Sequence, residues 1–141
     1  VLVSVSDLDR SIAFYEDVLH LRTLLREDKI AILRSPEGGS STVALREALR
    51  GATRQGQHVL GVRMFVCDVG SLAELGRTEE RLRALDAFER RQYFDEAGKV
   101  VFVAGRDPDR LPLIFMANVS GEELSPEEYR HGLPRLYGVD I

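Results

Sequence analysis

Residues Val1 to Leu21 read VLVSVSDLDRSIAFYEDVLHL, and this stretch decides the fold. Val1, Val3 and Val5 alternate with Leu2, Ser4 and Ser6, the two-residue period of a strand that sets three β-branched side chains on one face. Asp7 ends the strand and offers a carboxylate to the free N–H groups of a new helix. Leu8, Ile12, Tyr15 and Leu19 then recur at helical spacing and form an apolar stripe able to lie back on the valine face. The unit is strand, capped turn and packed helix. Its chemistry depends on what the opposite face of the strand carries.

Outward from this unit, LRTLLRE (21–27) and Ile30 to Arg34 read as strands joined by a turn at Asp28-Lys29. SPEGGS (35–40) is dense in turn residues, and STVALRE (41–47) returns as a strand. The first half is therefore β-α-β-β-β. ALRGATRQGQ (48–57) is polar, has no sustained period and serves as a connector. The opening pattern then returns. VRMFVCD (62–68) superimposes on VLVSVSD (1–7), with Asp68 standing 61 residues after Asp7 (68 − 7 = 61). Val62, Met64 and Val66 take the roles of the first valines, and Ser71 and Glu74 have capping-box spacing ahead of a Leu72, Leu75, Leu82, Leu85 stripe. Strands over 90–95, 99–104 and 113–118 complete a second module, and an internal repeat of this kind carries more weight than any single element. The tail beyond residue 118 holds a capped helix at SPEE (125–128), expected to stop at Gly132 and Pro134 and to pack on the domain or on a partner subunit.

Composition sets the outer bounds. The chain has 141 residues, 30% charged and 44% hydrophobic, with a net charge of −4, so one domain is expected and no general attraction to nucleic acid or anionic lipid. The single cysteine, Cys67, rules out an intrachain disulfide framework and a cysteine-rich zinc site. No stretch is long and apolar enough to span a bilayer as a helix, and no charged-then-apolar leader opens the sequence, so a cytoplasmic address is the expectation.

The paired modules, the motif VSDLDRSIAFYEDVLHL and the late DPDRLPLIF (107–115) resemble the vicinal oxygen chelate superfamily of glyoxalases, bleomycin-resistance proteins and extradiol dioxygenases. The resemblance implies an α+β fold. Tandem βαβββ modules would form a cupped eight-stranded mixed sheet with the helices outside and a ligand inside the cup. The short C-terminal helical tail lies outside the resemblance. Residues 1–57 are the first module with its connector, 58–118 the second and 119–141 the tail, within one domain. Association as a homodimer is also implied.

Enzymes of this superfamily hold a divalent ion in the cup with His or Glu from the first and last strands of each module, and the ion polarises a substrate bearing two neighbouring oxygens. The first-strand ligand would stand seven residues before Asp7, immediately upstream of Val1. The equivalent place in the fifth strand is Gly61, which has no donor, and the usual glutamate after the DPD turn is Ile114. Thr42, Ala44 and Arg46 are the inward candidates of the fourth strand. His20, His58 and His131 do not rebuild the set, because they fall at a helix end, in or near the connector and in the tail. The expectation is therefore that no metal cofactor is held and that the cup binds a small, partly aromatic organic molecule with an anionic or carbonyl end. Ser4, Arg46, Arg63, Phe65, Ile114 and Met116 would line it, Arg63 and Arg46 supplying guanidinium groups and Phe65 an aromatic wall. The plain alternative is that these side chains simply fill the cup. A second functional reading is a metal-dependent lyase, isomerase or dioxygenase using a His upstream of Val1 with relocated ligands such as His58 or Glu47. Cys67 reads as a small buried hydrophobe, since no base neighbours it in sequence.

Overall fold

The computed structural model describes residues 1–37, 42–53 and 64–137, excepting the side chain of Tyr137. In the first module β1 (Leu2–Val5), α1 (Leu8–Leu19), β2 (Arg22–Arg26), β3 (Ile30–Arg34) and β4 (Thr42–Glu47) build a four-stranded mixed sheet ordered β1-β4-β3-β2. β1 runs parallel to β4, while β3 runs antiparallel to both β4 and β2. Val3 and Val5 are buried on the α1 side together with Ala31, Leu33 and Leu45, as the alternation requires. The Asp7 carboxylate accepts the Arg10 backbone N–H at 2.9 Å and so caps α1. The helix ends at exposed His20, held left-handed at φ 52°, the place where glycine usually stands. The buried stripe is Leu8, Ser11, Phe14, Tyr15 and Val18, so Ile12 and Leu19 flank the contact instead of centring it. The apolar arc of α1 is wide, and Tyr15 and Ser11 sit deepest in it.

The second module repeats this order as β5 (Phe65–Asp68), α2 (Leu72–Ala84), β6 (Phe88–Tyr93), β7 (Val100–Arg106) and β8 (Pro112–Asn118), in a sheet ordered β5-β8-β7-β6. Here the phase of the first strand departs from expectation. Phe65 pairs with Leu113 and Cys67 with Phe115, so both lie on the α2 face, whereas Val66 pairs with Ile114 and is 49% exposed. The reason lies in the cap. Ser71, not Asp68, accepts the Glu74 N–H that opens α2, while Asp68 folds an Asx turn onto the Gly70 N–H at 2.7 Å. Ser71 stands 64 residues after Asp7 (71 − 7 = 64). An even offset replaces an odd one, and a slip of odd length exchanges the two faces of a strand. The α2 stripe narrows accordingly to Leu75, Thr78 and Leu82, leaving Leu72 and Leu85 exposed.

The tail forms α3 (Pro126–Tyr137), which runs through Gly132 and Pro134 without stopping there. Its entry is a reciprocal capping box: the Ser125 N–H donates to Glu128 Oε2 at 2.7 Å, and the Glu128 N–H donates to Ser125 Oγ at 3.2 Å. α3 lies on the sheet face away from α2. Leu136 joins Phe94, Val100, Phe102, Ala104 and Ile114 in one apolar cluster, against which Met64, Met116 and Leu124 also pack. Burying a leucine there contributes about 2 kcal/mol. Gly132 permits the close approach, since a Cβ on it would meet Phe94 ring atoms at 2.4–2.7 Å. Arg90 crosses from β6 and donates to the Leu136 carbonyl at 3.1 Å, satisfying an acceptor near the helix end that Pro134 weakens. The tail is thus part of the second module's core.

Two compact units result. One is the first module together with the Asp107–Arg110 turn, the other the second module with α3. The DPD turn explains that grouping. The buried Tyr15 hydroxyl donates to Asp107 Oδ2 at 2.9 Å, and the Ser6 N–H donates to Asp109 Oδ2 at 2.8 Å. Asp109 therefore holds the approach to α1, and Asp107 holds its second half.

Candidate functional site

The first sheet buries one face under α1 and leaves the other open. Register places Ser4 beside Arg46 and Leu2 beside Ala44 on β1 and β4, with Ile30 opposite Arg46 and Ile32 opposite Ala44 on β3. Leu2 is 61% exposed and Ile30 is 40% exposed, and both Ser4 and Arg46 are exposed. Ser4 and Arg46 are therefore adjacent on this face, as the alternation predicts. Thr42 and Ala44 share it. Glu47 pairs with Val5 and so points to the α1 side, which removes it from the open face.

The second sheet distributes the remaining candidates differently. Ile114 is 2% exposed and belongs to the cluster under α3, with Met116 packed against that cluster. Phe65 lies on the opposite, α2-covered face, so it shares no wall with Ile114 and Met116. This corrects the placement of all three on one surface, and its cause is the shifted cap described above. Cys67 also lies on the α2 side, where burial raises its thiol pKa above the ordinary value and disfavours a reactive thiolate. Arg63, Gly61 and His58 lie outside the described residues.

The described residues fit a divalent ion poorly. Ile114, standing where the family motif has its glutamate, is walled by Phe94, Phe102 and Leu136. Among the described residues no three His, Cys, Asp or Glu side chains group to hold a metal. A shallow cleft of about 660 Å³ near Tyr93, Glu96, Gly98 and Arg135 brings no free acid–base pair together, because Arg135 faces Glu96 at 3.4 Å and Asp95 accepts the Lys99 and Val100 N–H groups. Two residues of the open first-sheet face escaped the reading of the sequence. Arg22 and Arg34 stand directly opposite each other there, both exposed. An uninterrupted hairpin through Asp28-Lys29 would set Arg34 against Thr23. The register shift between Thr23 and Leu25 brings Arg22 there instead, and such a bulge leaves no plain mark in the sequence.

Among the described residues no helix is long and apolar enough to cross a membrane. No protein of curated function matches the chain significantly. Solved structures do match it. A glyoxylase/bleomycin resistance protein/dioxygenase domain from a Frankia species is 28% identical, with 86% of this chain and 90% of that one covered and a TM-score of 0.72. A lactoylglutathione lyase from Agrobacterium tumefaciens is 20% identical over 86% and 94%, with a TM-score of 0.64. A genomically encoded fosfomycin resistance protein from Listeria monocytogenes is 16% identical over 92% and 93%, also at 0.64. The sequence profile of the Glyoxalase/Bleomycin resistance protein/Dioxygenase superfamily matches residues 1–115, and with both βαβββ modules in place the chain belongs to that superfamily.

Proposed function

We propose that this protein binds a small organic molecule with an apolar body and an anionic or carbonyl end, without a resident metal ion. The observation that carries the reading is the open first-sheet face, where Arg46 and Ser4 adjoin Leu2, Ala44, Ile30 and Ile32. A guanidinium fixes a carboxylate or carbonyl oxygen, the serine hydroxyl adds a donor, and the aliphatic floor takes the body. Ile114 in place of the motif glutamate supports the metal-free part. The preference for an aromatic body rested on Phe65, and it loses that support because Phe65 sits under α2. The similar fosfomycin resistance protein and lactoylglutathione lyase are named for small polar organic compounds, which agrees in kind. Of the relocated ligands in the metal-dependent reading, Glu47 points to the α1 side, and His58 lies outside the described residues.

Calorimetric titration of metal-stripped full-length protein with medium-chain carboxylates tests the reading. Binding at one site per chain is expected, weakened about tenfold in Arg46→Ala, the equivalent of roughly 1.4 kcal/mol. Binding that appears only when a stoichiometric divalent ion is restored would overturn it. The homodimer implied by the resemblance is a separate proposal, checked by sedimentation equilibrium.

A further inference from the structure

The open face of the first sheet carries a second cationic centre. Arg22 on β2 and Arg34 on β3 are directly paired across the antiparallel ladder, on the same face as Arg46. Like charges set opposite on neighbouring strands repel. Several arginines elsewhere meet acids: Arg26 meets Asp9 at 2.9 Å, Arg91 meets Glu79 at 2.8 Å, and Arg106 meets Glu89. Arg22, Arg34 and Arg46 have no such partner among the described residues, and the acid at the edge of this face, Glu27, stands opposite Ile30 at the hairpin end, on the Arg46 side and five residues along the chain from Arg22. Arg22 and Arg34 therefore stand together with no carboxylate beside them on their own strands, in a chain whose net charge is −4. The pairing depends on the register shift between Thr23 and Leu25, a local irregularity of the kind that re-aims side chains at binding sites.

Between the two centres the face is aliphatic. Leu25 pairs with Ile32, which pairs with Ala44, which pairs with Leu2. Arg34 is opposite Thr42, while Arg46 is four residues further along β4, a separation of about 13 Å at strand rise.

We infer that Arg22 and Arg34 form an oxyanion site, and that the open face takes an elongated, bifunctional ligand. Its carboxylate or phosphate head bridges the Arg22 and Arg34 guanidinium groups. Its apolar chain crosses Leu25, Ile32 and Leu2, and a second anionic or carbonyl end reaches Arg46 and Ser4. This deepens the proposed function and depends on it only for the Arg46 end. A bound oxyanion relieves the arginine repulsion and offers both guanidinium groups bidentate acceptors.

The test is titration of the full-length protein with decanedioate, decanoate and decyl phosphate, together with Arg22→Ala, Arg34→Ala and Arg46→Ala. Decanedioate should bind at least tenfold tighter than decanoate, and either Arg22→Ala or Arg34→Ala should erase that advantage. Without ligand these two variants should unfold at or above the wild-type Tm, because each relieves a repulsion; a merely structural role for the pair would lower it. A tighter decyl phosphate than decanoate, with the excess lost in Arg22→Ala, assigns a phosphate head, and the reverse order assigns a carboxylate. If Arg22→Ala and Arg34→Ala leave decanedioate affinity intact while Arg46→Ala weakens it, the oxyanion site is overturned and the proposed function stands. If they weaken it while Arg46→Ala does not, the oxyanion site stands and the placement of the ligand end at Arg46 falls. Equal affinity for diacid and monoacid overturns the bifunctional ligand.

Discussion

Tyr15 is fully buried, and its hydroxyl reaches a carboxylate, Asp107, that is itself 4% exposed. A hydrogen bond to a charged group contributes about 1.5–3 kcal/mol, and Asp107 keeps the Asp109 N–H on its other oxygen when the tyrosine donor is removed. Tyr15→Phe keeps the ring and its edge-on contact with Phe14 and removes only the hydroxyl. The variant should lose about 2 kcal/mol in urea denaturation with an unchanged m-value. The sequence announced both residues but not their partnership. Tyr15 belonged to a helical stripe and Asp107 to a turn motif 92 residues away, and nothing in local periodicity joins them. Ser4 and Arg46 were legible for the opposite reason. Alternation alone sets them on one face of adjacent strands, and neither needs a distant turn to position it.

At the scale of elements, α3 shows how much a short clasp can decide. Lys99, ahead of β7, lies 3.0 Å from Glu128 and 3.3 Å from Glu122. The Glu128 carboxylate is held below its ordinary 4.5, first by the Ser125 N–H and then by Lys99, while Lys99 is raised above its ordinary 10.5, chiefly by Glu128. A depressed carboxylate stabilises the docked helix above its unfolded value and stops doing so as pH falls through the folded one. A raised ammonium stabilises below its unfolded value and is lost as pH climbs through the folded one. α3 should therefore sit firmly through the neutral range and loosen below about pH 4.5 and above about pH 10.5. The Tyr129 ring, edge-on to Phe94 at 5.9 Å, gives a near-ultraviolet circular dichroism signal to follow. Glu128→Gln keeps a capping-box residue but removes the charge, so the acid limb should flatten. The helix start was readable from SPEE, because a cap is a local device. Its continuation past Gly132 and Pro134 was not, since tertiary contacts with Phe94 and Arg90 outweigh the stop signal. The faces of β5 were misread for a related reason: strand periodicity defines two faces but does not say which one meets the helix, and the cap that decides it is Ser71.

In the whole molecule the two modules share a plan and differ in what covers their second face. The repeat in the sequence made the plan visible, whereas the difference depends on α3, which lies beyond the repeat. The first sheet keeps an open face with three arginines that meet no acid among the described residues, while the second fills its corresponding face with Leu136 and its neighbours. Cations on the one surface and hydrocarbon on the other both oppose a metal centre. A cation near guanidinium groups is repelled, and a carboxylate at position 114 would have to ionise among Phe94, Phe102 and Leu136. Restoring the motif glutamate should therefore fail to restore a metal site. Ile114→Glu is expected to cost roughly 3–5 kcal/mol, the penalty of an uncompensated buried charge, and to displace α3 before it recruits any ion. For the wild type, EDTA should leave the Tm unchanged, and added zinc, nickel or manganese should not raise it in proportion to the logarithm of their concentration, as a specific site would require. A saturable rise in Tm with one ion per chain, in the wild type or in a folded Ile114→Glu variant, would show that the apolar wall around residue 114 does not exclude the ion.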